Sequence, residues 1–78
     1  MMFRVLVVDD DADLRLSVAS ALSESNYQVD QATNGEEAVN RVRAGKYNLV
    51  LLDVHMPKMT GLEALKEIKA HDPSIIAI

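Results

Sequence analysis

The sequence predicts an α/β fold in which four strands alternate with three helices and form a parallel sheet. Short apolar runs rich in β-branched residues recur along the chain, and segments with apolar residues at helical spacing separate them. Strands that alternate with helices are joined by right-handed crossovers, so helices cover both faces of the sheet. With 78 residues, the chain is long enough for one domain close to the lower size limit.

The first strand and the first helix flank a run of aspartates. Residues 3–8 are almost all apolar, which is typical of a strand buried on both faces. This run stops at Asp9, and a stripe of apolar residues at helical spacing follows it. The stripe consists of Leu14, Val18, Ala21 and Leu22. Ser25 and Asn26 end the predicted helix.

The second strand and the second helix follow a short polar break. Residues 27–32 are more polar than the first strand, which favours a position at the edge of the sheet. Asn34, with Glu37 three residues later, is the pattern of a capping box that opens a helix. We expect Gly45 to adopt the left-handed conformation that commonly ends a helix.

The third strand, the third helix and the start of a fourth strand complete the pattern. Residues 48–52 are nearly all apolar, and this strand ends at Asp53. The inward-facing residues predicted for the third helix are Leu62, Leu65 and Ile68. Asp72 and Pro73 stop that helix, and residues 74–78 begin the fourth strand.

Composition excludes several classes of protein. The chain has no cysteine, which rules out a disulfide scaffold, a thiol nucleophile and a cysteine-based metal site. Lys and Arg number 8 against 12 Asp and Glu, and this balance, with no basic tract, argues against nucleic-acid binding. No apolar run approaches a membrane span, and the first residues lack the pattern of a signal peptide. We therefore expect a cytoplasmic protein without a membrane anchor.

Carboxylates follow two of the predicted apolar strands. Asp9 and Asp10 come directly after the first strand and Asp53 after the third, and ligands of open α/β sheets bind at the carboxyl ends of the strands. If the two strands are neighbours, the three carboxylates converge and repel one another unless a cation lies between them. A hard divalent cation such as Mg²⁺ suits this set of oxygen ligands. A carboxylate beside such a metal can attack a phosphoryl donor and become an aspartyl phosphate.

Other interpretations of the aspartates remain open or fail on spacing. Asp11 and Asp13 are expected mainly to cap the first helix, because anions suit a helix N-terminus. A calcium loop starting at Asp9 would need glycine and glutamate where Leu14 and Ser20 stand. No glycine-rich phosphate loop follows the first strand. The Asp9-x-Asp11 pattern also resembles phosphatases with an aspartate nucleophile, but that alternative leaves Asp53 unexplained.

The joint spacing of three motifs resembles the receiver domain of two-component response regulators. The motifs are Val7-Val8-Asp9-Asp10, Leu51-Leu52-Asp53 and Met56-Pro57-Lys58-Met59-Thr60-Gly61-Leu62, and Pro73 precedes an Ile-rich strand as in that family. The resemblance spans the whole chain and implies a flavodoxin-like (CheY-like) parallel sheet with strand order 2-1-3-4 for the part present.

The resemblance also implies a function and a set of site residues. It implies that Asp53 accepts a phosphoryl group from a sensor histidine kinase, without the chain being an enzyme. Mg²⁺ would be bound directly by Asp10, by Asp53 and by the backbone carbonyl of His55, and Asp9 would help through a bound water. The side chain of His55 would either face the phosphoryl group or be solvated, with only its carbonyl in use.

The sequence departs from this family at its C-terminal end. We expect residues 1–78 to be a truncated receiver domain, because the lysine and the Ser or Thr that complete the family's site have no candidate here. Phosphotransfer would then be impaired. The absent helices would leave part of the sheet uncovered at Val5, Val7, Val50, Leu52, Ile76 and Ile78. The alternative function is therefore a non-phosphorylated interaction module, a homo-oligomer that self-associates through the fourth strand or the bare sheet face.

Overall fold

The structure is a computed structural model that describes residues 3–52 and 61–78. Within these residues, strands and helices alternate along the chain as the sequence predicts. The elements are β1 (Arg4–Val8), α1 (Ala12–Glu24), β2 (Gln28–Ala32), α2 (Gly35–Ala44), β3 (Leu49–Leu52), α3 (Gly61–His71) and β4 (Ile76–Ala77).

The four strands form one parallel sheet in the order β2-β1-β3-β4. This order confirms the predicted topology, and it places the polar strand β2 at an edge as expected. Val8, the last residue of β1, lies opposite Ala32 of β2 and Leu52 of β3. The three strands therefore end at the same level of the sheet.

The main core lies between the sheet and the pair α2–α3. Leu6 and Val8 of β1 and Val50 of β3 are buried there with residues from both helices. The helical contributors to this core are Ala38, Val39, Val42, Ala64 and Ile68. Helix α1 packs against β1 and β2, and it buries the residues of β1 that point to the opposite face.

The predicted loss of cover is wrong for three residues, which are buried, while the two isoleucines at the end of the sheet are exposed. Val5 and Val7 are buried, at 0% and 3% exposure, because α1 covers β1 on that face. Val50 is also fully buried, because it points into the core of α2 and α3. Leu52 is partly buried. The exposed positions are Ile76, at 56%, and Ile78, at 73%.

The helices bury fewer of their large apolar residues than the periodicity predicts. In α1, Ala19 is buried, Val18 and Leu22 are partly buried, and Leu14 and Ala21 are exposed. Leu14 is exposed because α1 covers the neighbouring strands only in part.

Helix α3 departs from the predicted pattern in the same way. Ile68 is fully buried and Leu65 partly buried, but Leu62 is 63% exposed. Small residues take the inward positions instead, since Gly61 and Ala64 are buried where α3 packs against α2.

The helix ends show which capping predictions hold. Asn34 caps α2 by accepting a hydrogen bond from the backbone N–H of Glu37 at 2.8 Å, as the capping box predicts. The Glu37 carboxylate accepts from the hydroxyl of Thr33 at 2.8 Å. The prediction for Gly45 is wrong, because its φ of −144° is extended. Its N–H still donates to the carbonyl of Arg41 at 3.0 Å, so the last turn closes without a left-handed residue.

A cluster of polar groups joins the amino-terminal halves of the strands. Arg4 Nη2 lies 3.3 Å from Asp30 Oδ2, and the hydroxyl of Tyr47 donates to the same oxygen at 2.6 Å. The Arg4 guanidinium also lies 4.7 Å from the centre of the Tyr47 ring, a cation–π contact. The backbone N–H of Arg4 donates to the side-chain oxygen of Asn48 at 2.8 Å. The cluster therefore connects β1, β2 and the segment before β3.

The helices of the described segments are short compared with a bilayer. None of them is long and apolar enough to cross a membrane.

Candidate functional site

The carboxyl ends of β1 and β3 lie side by side. Val8 and Leu52 are directly opposite each other in the parallel ladder. Asp9 follows Val8 in the sequence, and Asp53 follows Leu52. The condition for convergence of the three carboxylates, that the first and third strands are neighbours, is therefore met. Asp53 and His55 themselves lie outside the described residues, and their role in the site stays a prediction.

Asp9 is held rigidly at the end of β1. It is 9% exposed, and its backbone N–H donates to the carbonyl of Ala32 in β2 at 3.2 Å. Its carboxylate oxygen Oδ1 accepts a hydrogen bond from the backbone N–H of Asp11 at 2.9 Å. This hydrogen bond fixes the direction of the Asp9 carboxylate relative to the start of α1.

Asp10 lies in a different environment from its neighbour. It is exposed at the bend between β1 and α1. The two consecutive aspartates thus give one buried, anchored carboxylate and one that is accessible from solvent. The Asp10 carboxylate is therefore the more accessible of the two to an incoming cation.

The described carboxylates fit a hard divalent cation in the type of ligand atom. Carboxylates offer oxygen ligands, and Mg²⁺ is commonly bound through one or two carboxylates with water completing its shell. Among the described residues, no group of three or more metal-binding side chains is close enough to hold an ion. Asp9 and Asp10 would therefore need ligands beyond this part of the chain, and the predicted ones are Asp53 and the carbonyl of His55.

Asp11 caps the first helix, as the sequence predicts. Its Oδ1 accepts hydrogen bonds from the backbone N–H groups of Asp13 at 3.0 Å and Leu14 at 3.2 Å. Asp13 lies exposed in the first turn of α1, where a negative charge interacts favourably with the helix dipole. Both residues have structural roles beside the candidate ligands.

Arg15 is a residue of this site that sequence reasoning missed. Its Nη1 donates to the backbone carbonyl of Asp9 at 2.8 Å, and its Nε donates to Oε1 of Gln31 at 3.0 Å. The one signal in the sequence is that Arg15 is the first cation after the aspartate run, four residues beyond the cap Asp11. The contact to Gln31 depends on how α1 packs on β2, and spacing alone does not give it.

An apolar groove of about 340 Å³ lies next to Asp9 on the side of the sheet that α1 covers. Its apolar lining includes Leu14 and Val18 of α1 and Leu51 of β3. Ile78 closes the groove beyond β4. Asp9 is the one charged residue among the described residues of this lining, so the groove adjoins the aspartate site and is otherwise apolar.

Comparisons with known proteins identify the family. The family model of the response regulator receiver domain matches residues 5–78. The chemotaxis protein CheY of Thermotoga maritima is 42% identical over 72 residues, which cover 91% of this chain and 60% of CheY. The chain thus spans about three fifths of the length of this curated relative.

Solved structures give the same result for the fold. The response regulator TrrA of Thermotoga maritima, crystallised in complex with Mg²⁺-BeF, matches with a TM-score of 0.92 and 41% identity. The match covers 97% of this chain and 66% of TrrA. TrrA in complex with the histidine kinase ThkA matches over the same shares, with a TM-score of 0.90 and 41% identity.

The family model covers nearly all of the chain, and the observed strand order 2-1-3-4 agrees with the fold that the sequence motifs imply. The CheY-like fold is thereby confirmed. The chain belongs to the family of response regulator receiver domains.

Proposed function

We propose that the chain is the receiver module of a two-component phosphorelay and that Asp53 accepts a phosphoryl group from a sensor histidine kinase. The observation that carries the proposal is the pairing of Val8 with Leu52, because the strands that precede Asp9 and Asp53 end side by side. The complex of the related TrrA with the kinase ThkA supports a histidine kinase as the partner. We propose a cytoplasmic signalling role for residues 1–78, with no turnover of a substrate.

The proposed chemistry is a single phosphoryl transfer. A carboxylate oxygen of Asp53 forms a bond to phosphorus while the P–N bond of the kinase phosphohistidine breaks, and the electron pair returns to the imidazole. Mg²⁺ neutralises charge on the transferring group when it is bound. Asp10, Asp53 and the carbonyl of His55 would hold the ion directly, and Asp9 would contact it through water. The Mg²⁺-BeF complex of TrrA supports this choice of metal.

Intact-mass analysis with acetyl phosphate and Mg²⁺ tests the proposal. We expect the chain to gain the mass of one phosphoryl group, and we expect Asp53→Asn to gain none. Asp13→Asn is the matched control, since Asp13 is an exposed aspartate of the same acidic segment. If Asp53→Asn is still labelled and Asp9→Ala is not, the phosphatase-like alternative, in which Asp9 is the nucleophile, is favoured instead. If neither the unmodified chain nor any variant gains mass, the proposed phosphoryl transfer is wrong, and the assignment of the fold is unaffected.

We expect labelling of the 78-residue chain by itself to be slow. The lysine and the hydroxyl that the resemblance implies for a complete site have no candidate among these residues. Both groups would stabilise charge on the transferring phosphoryl oxygens, so the barrier is higher without them. A rate equal to that of the related TrrA under the same conditions would contradict this expectation.

A second candidate function is self-association of the 78-residue chain through β4. Strand β4 is the edge strand next to β3, and Ile76 and Ile78 are 56% and 73% exposed. The backbone N–H groups of both isoleucines donate to β3, to the carbonyls of Asn48 and Val50. Because successive residues of a strand alternate, the N–H and C=O of Ala77 point away from β3. An edge with a free donor and acceptor in ladder position is a template for pairing.

A second copy of the chain is the occupant that fits this edge. Around a two-fold axis, Ala77 would exchange both hydrogen bonds with Ala77 of the other copy. Ile76 would then lie opposite Ile78 of that copy, on the same face of a continuous sheet. This arrangement covers the exposed Ile76 of β4 with the exposed Ile78 that follows the strand.

Sedimentation equilibrium at tens of micromolar tests the assembly. We expect an oligomer for the unmodified chain and a shift toward monomer for Ile78→Lys, because a charge at an edge strand opposes pairing. Leu62→Lys is the control, since Leu62 is equally exposed but lies on α3. Ala77→Pro removes the backbone N–H that points away from β3, and it should also give monomer. A stable monomer for the unmodified chain would refute the assembly.

A further inference from the structure

Arg15 connects three parts of the molecule next to the candidate ligands. It lies in the first turns of α1, and its guanidinium donates to the carbonyl of Asp9 and to the side chain of Gln31 in β2. We propose that Arg15 is a positioning residue for Mg²⁺ binding, which acts by fixing the peptide group between Asp9 and Asp10. This inference rests on the proposed function, in which both aspartates contribute to a Mg²⁺ site.

The contact to the Asp9 carbonyl controls the direction of Asp10. This carbonyl belongs to the peptide group that joins the two aspartates, and a peptide group is planar. A hydrogen bond of 2.8 Å to its oxygen therefore restricts the rotation of the whole plane. The Cα–Cβ bond of Asp10 starts from the far end of that plane. Asp10 is itself exposed, so its direction depends on this anchored neighbour.

The other groups of Asp9 are tied to different elements. Its N–H is bound to Ala32 at the end of β2, and its Oδ1 is bound to the N–H of Asp11, the cap of α1. Arg15 supplies the remaining restraint, on the carbonyl. The peptide between the two candidate ligands is thus held from β2 and from α1 together.

Gln31 makes the restraint specific for arginine. A guanidinium is a rigid planar fork, and two of its nitrogens reach Asp9 and Gln31 at 2.8 and 3.0 Å. The ammonium of a lysine is a single point donor and cannot reproduce both directions. Gln31 is neutral, so it fixes the guanidinium without cancelling its charge.

Two effects of Arg15 on Mg²⁺ oppose each other. Its positive charge repels a cation bound nearby, so its removal would strengthen binding by this effect alone. Its hydrogen bonds orient the ligands, and loss of such an outer contact typically weakens metal binding by 10-fold or more. A substitution that keeps the positive charge therefore isolates the orienting effect. We expect the orienting effect to be the larger one, because Asp10 is exposed to solvent, where repulsion is screened.

Calorimetric titration with Mg²⁺ measures the orienting effect. We expect Arg15→Lys, which keeps the charge, to weaken Mg²⁺ binding about 10-fold. We expect Gln31→Ala, which removes only the second anchor, to weaken it by a smaller factor. Arg43→Lys is the matched control, because Arg43 lies exposed on α2 and pairs with Glu67. Unchanged or tighter binding in Arg15→Lys would overturn the inference.

Two further measurements separate positioning from general stability. In the absence of metal, the amide shift of Asp10 should move in Arg15→Lys and in Gln31→Ala, while urea unfolding of Gln31→Ala stays close to that of the unmodified chain. An unmoved Asp10 amide in both variants would overturn the positioning role. A failure of the unmodified chain to bind Mg²⁺ would instead overturn the proposed metal site and this inference with it.

Discussion

The hydroxyl of Tyr47 donates a hydrogen bond of 2.6 Å to Oδ2 of Asp30, the same oxygen that pairs with Arg4. Tyr47 is 6% exposed and belongs to the main core, so its ring fills space while its hydroxyl reaches the partly exposed Asp30. One carboxylate oxygen thus receives a neutral donor and a cationic one. The edge strand β2 is connected in this way to the segment before β3.

Removal of the Tyr47 hydroxyl should destabilise the fold. We expect Tyr47→Phe to lower the free energy of unfolding by about 1.5 kcal/mol, because it deletes a hydrogen bond to a charged acceptor and keeps the ring. Urea unfolding monitored by circular dichroism measures the change. Tyr27→Phe is the control, since Tyr27 is 39% exposed and keeps its ring contact with Phe3, and its effect should stay within about 0.5 kcal/mol.

Stability should also fall at alkaline pH because of the same residue. Burial, together with the hydrogen bond to Asp30 and the charge of Asp30, raises the pKa of Tyr47 above its usual 10.0. The unfolded chain therefore loses the tyrosine proton at a lower pH than the folded chain. The stabilisation is complete below pH 10 and is lost as the pH rises through the folded-state pKa. Above pH 10, the free energy of unfolding should depend less on pH in Tyr47→Phe than in the unmodified chain. Equal pH dependence in both proteins would contradict the role given to Tyr47.

Gly45 and Asn26 should respond in opposite ways to alanine. Gly45 has extended backbone, and an added Cβ would lie 3.5 Å from the nearest atom, Arg4 Nη1, which is an ordinary contact. We expect Gly45→Ala to stabilise the fold by about 0.5 kcal/mol, since it reduces the entropy of the unfolded chain. Asn26 has a φ of 67°, so Asn26→Ala should destabilise by about 1 kcal/mol. Thermal unfolding of both variants tests the pair.

The turn after α3 should show the effect of one hydroxyl on a carboxyl group. The hydroxyl and the backbone N–H of Ser74 donate to Oδ1 of Asp72 at 2.6 and 3.0 Å, and they lower the pKa of Asp72 below its usual 3.8. Ser74→Ala removes the hydroxyl, whose hydrogen bond is the larger cause of the shift, so the pKa of Asp72 should rise toward its usual value. Carbon-detected NMR titration of the Asp72 carboxyl measures it, and an unmoved titration midpoint would contradict the assignment.

Mg²⁺ should raise the unfolding temperature of the chain if Asp10 is a ligand. An ion that binds only the folded state stabilises it by an amount that grows with its concentration relative to the dissociation constant. We expect this increase to be lost in Asp10→Asn and kept in Asp13→Asn, which removes an exposed charge from the next turn. Equal increases in both variants would show that the ion acts through general charge screening.

Local patterns predicted the strands and the N-terminal caps of α1 and α2, because these features depend on near neighbours in the sequence. The cap of Asp11 uses N–H groups two and three residues ahead, and the polarity of β2 reflects its edge position. The alternation of elements predicted a parallel sheet, because such strands are joined by right-handed crossovers. The strand order 2-1-3-4 was implied by the resemblance to receiver domains.

The errors came from contacts between distant parts of the chain. Leu14 and Leu62 have the right spacing for burial, but too little of the fold covers them. Arg15 went unrecognised because its partner Gln31 is 16 residues away, and only the packing of α1 on β2 brings them together. Gly45 leaves its helix toward β3 in an extended conformation, which the residue type does not determine.

Strand β1 carries the Arg4 cluster at one end and the aspartates at the other. Asp9 follows Arg4 by five residue positions along the strand, a distance of about 16 Å, which is roughly twice the distance over which physiological salt screens exposed charges. An altered charge at Arg4 should therefore change how firmly the sheet holds together without changing what binds beyond Val8. Substitutions near the amino-terminal end of β1 can therefore alter thermodynamic stability independently of the chemistry at the opposite end of the strand.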